Sequence, residues 1–283
     1  MAIPTFQLSD GTLLPAVGFG TSGLKGSEGI RVISSAIDHG YRLLDTGYNY
    51  ENEGTLGQAV KQSSVAREEL LLSSKLPGRH HKYHAAISAI QESLYRAGLD
   101  YYDLYLIHWP NPKRDEYVEA WQALIDAQRF GLVRSIGVSN FLPEHLDKLK
   151  KETGILPAVN QVELHPLFSQ PEQRDYHKKH QILTEAWSPL GGIDHKLSKP
   201  ITELPLLVDL AEKYHKNVGQ IILRWEYQLG ALPLPLSRNP KRQTQNLDIF
   251  DFELTTDELQ QIIALDQKEA RVSAQDPRTH EEL

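Results

Sequence analysis

Gly18-Phe19-Gly20-Thr21-Ser22-Gly23 is the stretch on which the fold turns. Its glycine spacing has the form of a dinucleotide-binding fingerprint, which would imply an open, doubly wound sheet. Two features argue against that reading. The glycines fall within and just after the first strand signal, Ala16–Phe19, rather than opening a helix after it. No acidic residue stands about 20 positions further on at the end of a second strand, where it would hold a ribose. Asp45 is the nearest candidate, and it has a better use below. A closed barrel is therefore expected in place of an open sheet.

Outward from this stretch, short apolar runs recur at Arg42–Asp45, Leu70–Lys75, Tyr102–His108, Val133–Ser139, Ala158–Glu163, Ile182–Ser188 and Leu232–Ser237. Each has the length and composition of a strand buried on both faces. Helical periodicity lies between them, at Gly29–His39, Ala85–Ala97, Val118–Gln128, Leu207–Tyr214 and Gln220–Gln228. Alternating strands and helices make an α/β protein with a parallel sheet. A (β/α)8 TIM barrel takes about 250 residues, and the chain has 283. We expect one domain over 1–283. An N-terminal β-hairpin occupies 1–15, where Phe6 and Leu8 alternate with polar residues and Asp10-Gly11 makes the turn. The tail over 266–283 is polar and aperiodic from Ala270. It either frays or folds over a barrel mouth.

The formal net charge is −7 and no basic stripe is present, which excludes a nucleic-acid partner. There are no cysteines, so disulfides, cysteine nucleophiles and thiolate metal sites are excluded. No basic region followed by an apolar run opens the chain. No apolar stretch approaches the roughly 20 residues that span a bilayer. A cytoplasmic monomer with no membrane partner is the expectation.

Asp45, Lys75 and His108 close three successive strand signals. In a barrel, the C-terminal strand ends face one mouth, where active sites lie. Tyr50 follows in the loop after the second strand and can turn back over that mouth. Singly, each has an ordinary structural explanation: a helix cap, a solvated strand end, a satisfied core histidine, a packing ring. Together they have an acid–base logic. A tyrosine ionises near pH 10, and an adjacent ammonium favours its ionised form. Asp45 would hold Lys75 charged, and His108 would position a carbonyl oxygen opposite Tyr50. His80, His81 and His84 cluster without a carboxylate of matching geometry, so they read as a solvated helix start, and no metal is expected.

With these residues in place, the chain resembles the aldo-keto reductase family over nearly its whole length. Gly40 to Gly57 (GYRLLDTGYNYENEGTLG) matches its first signature, with Gly47 where Ala is usual. Leu106 to Pro110 (LIHWP), Gly137 to Phe141 (GVSNF) and Val159 to Pro166 (VNQVELHP) match others. The resemblance implies NAD(P)H-dependent carbonyl reduction by a tetrad of Asp45, Tyr50, Lys75 and His108. It implies that Ser139, Asn140 and Gln161 hold the nicotinamide carboxamide and that Trp187 packs on its ring. Trp187 to Leu190 (WSPL) looks like the bacterial diketogluconate-reductase branch, which would put Ser188, Leu190 and Gly191 along the pyrophosphate. Thr21 joins the expected cofactor contacts. Ser22 and Trp109 join Tyr50 and His108 as expected substrate contacts, with Ser22 standing where many relatives carry a bulky aromatic.

One departure bears on the coenzyme. After the eighth strand the family usually reads Ile-Pro-Lys-Ser, whereas this chain reads Leu234-Pro235-Leu236-Ser237. The lysine for the adenosine-side phosphate is missing. Arg242, Gln245 and Asn246 match the family, Ser237 offers a hydroxyl, and Arg238 is an additional cation. NADPH is favoured, with some use of NADH. Two rival readings stand beside a reductase. A Schiff-base lyase would need Lys75 neutral, which Asp45 opposes. A cofactor-sensing, non-enzymatic barrel would have no need of a proton donor.

Overall fold

A computed structural model describes residues 3–192, 200–268, 270–272 and 275–282. Strands β1 (Thr5–Gln7) and β2 (Leu13–Pro15) form an antiparallel hairpin, with Phe6 opposite Leu14. Then come β3 (Phe19–Gly20), α1 (Gly26–Asp38), β4 (Leu43–Asp45), α2 (Glu53–Gln62), β5 (Leu71–Leu76), α3 (Tyr83–Ala97), β6 (Tyr102–Ile107) and α4 (Tyr117–Arg129). The second half runs β7 (Val133–Ser139), α5 (Pro143–Thr153), β8 (Val159–Glu163), α6 (Pro171–His180), β9 (Leu183–Trp187), α7 (Pro205–Tyr214), α8 (Val218–Gln228), β10 (Ala231–Pro233), α9 (Pro240–Leu247) and α10 (Thr256–Ile263).

β3 to β10 form one eight-stranded parallel sheet in chain order. It closes into a barrel between its first and last strands. There the Gly18 amide donates to Pro233 O at 3.0 Å and the Gly20 amide to Pro235 O at 3.1 Å. A regular parallel ladder would return the intervening bond from residue 235, but Pro235 has no N–H. The seam is therefore sparsely bonded, and the eighth strand is shorter than the expected Leu232–Ser237. The fingerprint-like glycines serve this closure. A Cβ on Gly18 would lie 2.6 Å from the Leu234 side chain and 2.9 Å from that of Leu43, so a larger residue would force the seam apart.

The period of two along each strand decides what points into the barrel. Leu43, Leu104, Leu106, Val159, Leu232 and Leu234 form its lower core with the hairpin residues Leu8 and Leu14. The hairpin thus plugs the N-terminal mouth. The outward-facing strand residues, such as Tyr105, Ile107 and Val138, pack under the helices. One step of two further along the inward rows stand Asp45 above Leu43, His108 above Leu106, Gln161 above Val159 and Glu185 above Leu183. These residues make the floor of the C-terminal mouth.

Some helices differ from the pattern reading. α6 carries little apolar periodicity. The inward face of α6 is polar: Gln173 and His177 are buried and bond Phe141 O, Asn160 and Thr184. His81 corrects the expectation of a solvated helix start. It is fully buried ahead of α3, neither ring nitrogen has a partner, and burial pushes its pKa down to about 4. Positions 1–2 of the hairpin and 269, 273–274 and 283 of the tail lie outside the described residues.

Candidate active site

Lys75 is 1% exposed at the end of β5. A buried ammonium requires partners, and it has them. Nζ donates to Asp45 Oδ2 at 2.5 Å and to Thr46 O at 2.7 Å. Tyr50 reaches the same place from a single 3-10 turn, Tyr48–Tyr50. Glu51 ends that turn in the left-handed region, φ 53°, and turns the chain away. The Tyr50 ring centre lies 4.8 Å from Lys75 Nζ and 5.8 Å from the His108 ring, edge-on. The four expected residues thus meet at one point.

Burial pushes the Tyr50 hydroxyl's pKa up, Lys75 pulls it down less strongly, and Asp45 and Glu282 add to the rise. The net direction is upward. This corrects the expectation that the lysine would bring it below that of free tyrosine. Burial opposes the charge on Lys75, but Asp45 and Tyr50 outweigh it and raise its pKa. The pair is therefore a neutral phenol above a permanent ammonium.

A cleft of about 750 Å³ opens over this floor. Tyr50, His108, Trp109 and Ser22 line its catalytic end, with Ser22 exposed at the rim. Thr21, Ser139, Asn140, Gln161, Trp187, Ser188, Leu190 and, on α9, Arg242 continue the wall. Ser139 Oγ donates to Gln161 O at 2.8 Å, and Trp187 Nε1 donates to Asn140 Oδ1 at 2.9 Å. Asn140 (φ 63°) and Ser188 (φ 50°) both hold left-handed backbones, a form of strain concentrated at functional sites. The Thr21 hydroxyl donates to Asp45 O at 2.9 Å and ties β3 to β4.

The remaining expected cofactor contacts are placed differently. Arg238 is half-exposed and bonds Glu28 at 2.7 Å and Gly23 O at 3.0 Å. Ser237 Oγ accepts from the Asn239 amide at 3.1 Å. Asn246 is buried, and Gln245 is half-buried beside it. Gly191 (φ 81°) packs on Ile201 behind the wall. None of these five lines the cleft.

Three residues that the sequence reading did not single out complete the site. Asn49 and Glu282 bond one another at 2.7 Å near His108. Glu185 lies under Gln161, whose Nε2 donates to Asp45 Oδ1 at 3.0 Å and Glu185 Oε2 at 2.9 Å. With both amide hydrogens held by the two acidic side chains, the Gln161 oxygen is the atom left to the cleft. Inward parity on the seventh barrel strand could have flagged Glu185. The aperiodic tail carried no such signal for Glu282.

Burial, with Asp45 adding to it, pushes the Glu185 carboxyl's pKa up from 4.5 to about 8. Between those values the folded chain keeps a proton that the unfolded chain has lost. Stability therefore falls as pH rises through this window, by up to about 1.4 kcal/mol per unit, and the loss is complete above the folded pKa. Glu185→Gln removes this titration. Denaturant unfolding should show the variant gaining on wild type from pH 5 to 8 and no further above. A difference that does not change with pH would mean that Glu185 is already ionised when folded.

Among the described residues, no group of acids and histidines could hold a metal ion, and no helix is long and apolar enough to cross a membrane. An eight-stranded parallel barrel with a Tyr–Lys–Asp–His cluster at its C-terminal mouth defines the class. Residues 16–267 match the model of the aldo/keto reductase family, and the chain belongs to that family. It is 50% identical to 2,5-diketo-D-gluconic acid reductase B of Corynebacterium sp. (strain SHS752001), covering 99% of both chains. It is 44% identical to the methylglyoxal reductase DkgA of Escherichia coli (strain K12), covering 94% of this chain and 95% of that one. The crystal structure of a Gox0644 mutant in complex with NADPH superposes with a TM-score of 0.92 at 37% identity, covering 99% of this chain and all of that one.

Proposed function

We propose that this protein reduces small aldehydes and ketones to alcohols with NADPH, and that Tyr50 is the proton donor. The observation that carries the proposal is the buried Lys75 ammonium, locked by Asp45 and Thr46 directly beneath the Tyr50 ring. The same pairing disfavours Schiff-base chemistry, which needs the free amine.

The cleft fits a nicotinamide cofactor. The Gln161 oxygen and the Asn140 side chain offer polar partners to a carboxamide, and the Trp187 ring offers a flat face. When bound, the reduced nicotinamide supplies the hydride. Tyr50 and His108 converge on the carbonyl oxygen from two sides. Tyr50, kept neutral by burial, gives its proton as negative charge develops there. Lys75 stabilises the tyrosinate left behind, and Asp45 keeps Lys75 oriented. The relatives named as reductases of methylglyoxal and of a diketo sugar acid support a small carbonyl substrate.

Coenzyme choice rests on Arg242. Leu236 brings no charge to the cleft wall, and Arg238 is held by Glu28. Arg242 is then the cation in the wall that can meet a 2′-phosphate. The test is turnover of a carbonyl panel by wild type and Arg242→Ala with both coenzymes. Wild type should prefer NADPH. The variant should lose on the order of 10- to 100-fold in NADPH affinity, as for a lost hydrogen bond to a charged group, with NADH nearly unchanged. Equal losses would place the arginine on a part common to both coenzymes. Failure to reduce any carbonyl would overturn the proposal.

A further inference from the structure

The tail brings a carboxylate into the catalytic end of the cleft. Glu282 Oε1 accepts from Asn49 Nδ2 at 2.7 Å, and Oε2 accepts from the Gly78 amide at 3.0 Å. Oε1 also lies 2.6 Å from His108 Nδ1, off the line of the ring N–H. The backbone is fixed as firmly. Asn111 donates from Nδ2 to Glu282 O at 2.7 Å and accepts from its amide at 3.1 Å. Gly78 leaves room for this approach, since a Cβ there would meet Asn111 at 2.2 Å and Glu282 O at 2.6 Å. Further back, the Val272 amide donates to the buried Glu163 carboxylate at 2.6 Å. The tail is seated, with its acid inside.

The charge survives this seating. Burial opposes ionisation of Glu282, but His108, the Gly78 amide and Asn49 outweigh it and hold its pKa below the ordinary value. The other acid in the wall, Asp45, is neutralised by Lys75 at 2.5 Å. Arg242 makes no ion pair with Glu282 among the described residues. Among the described residues, Glu282 is therefore the acid of the cleft wall with no Lys or Arg at ion-pair distance, its partner being His108 at 2.6 Å, beside the point where Tyr50 and His108 converge.

We infer that Glu282 is a specificity-determining residue that selects uncharged carbonyl substrates and rejects those with a carboxylate next to the carbonyl. This rests on the carbonyl-reductase reading and narrows it. An α-keto acid seated between Tyr50 and His108 must bring its carboxylate close to that of Glu282. Two like charges about 6 Å apart at an effective dielectric near 20 repel enough to change a rate constant by on the order of 10- to 100-fold. Substituents that donate hydrogen bonds, such as hydroxyls, would instead find an acceptor. The relative named for a diketo sugar acid makes this a sharp distinction within the family.

The test uses one ketone with its carboxylate free or masked, pyruvate against ethyl pyruvate, at saturating NADPH. Wild type should favour the ester. Glu282→Gln keeps the size and hydrogen-bonding oxygen of the side chain and removes its charge. It should raise the acid-to-ester ratio of kcat/KM by on the order of 10- to 100-fold, and Glu282→Lys should raise it further. Loss of the Glu282 charge also makes His108 less inclined to carry a proton, which would disfavour the acid, so a rise in the ratio reports the Glu282 charge itself. A wild-type ratio near one, or a ratio that Glu282→Gln leaves unmoved while the ester is still reduced, overturns charge selection alone. No reduction of the ester or of any uncharged carbonyl overturns the reductase reading, and this inference with it.

Discussion

Tyr50→Phe is expected to bind NADPH as wild type does and to lose reduction by ~10²–10⁴-fold, the range for a lost general acid. The substitution removes one oxygen and leaves the ring that packs edge-on to His108. Binding can be followed through the fluorescence of Trp187 in the cleft wall, and chemistry through single-turnover oxidation of NADPH. A variant that keeps more than about a tenth of the wild-type chemical rate would show that another group gives the proton. The pH dependence of wild type adds a second check. The acid works while protonated, so activity is present below its pKa and lost above it. Burial holds that pKa above the ordinary value of 10.0. The rate of reduction should therefore stay level through neutrality and decline only at strongly alkaline pH, as a property of the coupled Tyr50–Lys75 site.

Lys75→Met is expected to be at least as damaging, with reduction down by ~10² or more. Without the ammonium, nothing stabilises the tyrosinate that the reaction leaves. The same change strands Asp45 as a buried acid, and breaking a buried pair this way costs about 3–5 kcal/mol of stability. The pairing of Lys75→Met with Asp45→Asn separates the two effects. The double variant should recover much of the lost unfolding free energy and none of the lost rate. Recovery of rate along with stability would mean that Lys75 acts by holding the fold.

The barrel and the cluster were legible because both follow from strand periodicity. Short runs buried on both faces announced a parallel sheet, and ionisable residues at three successive strand ends announced its mouth. α6 was hidden because a helix can seat itself with polar groups. Gln173 and His177 replace the apolar stripe that a pattern search needs. The ion pair of Arg238 was not legible, because sequence order places it only on the expected cofactor loop. Its partner Glu28 lies on α1, a contact that only the closed barrel creates. Glu282 was invisible for a related reason. Its position depends on Asn111 and Gly78, both in loops far away in sequence. That Tyr50 could turn back over the mouth was legible from its place just after the second barrel strand, but the direction of its pKa shift was not, because a sequence names a neighbouring charge without the depth of burial that outweighs it.

The proline at the barrel's closing joint has a thermodynamic consequence. Gly18 and Gly20 give their amides to the last strand, and Pro235 gives none back. Fluctuations that part neighbouring strands cost least where fewest bonds are broken, so this joint is where the cylinder most readily breathes. The cleft straddles that joint, with Gly20, Thr21 and Ser22 on one lip and Leu234, Pro235 and Leu236 on the other. A molecule seated across both lips acts as a clasp. Its binding energy is added to a hinge line that the backbone leaves half-fastened, and the filled barrel is stiffer than the empty one.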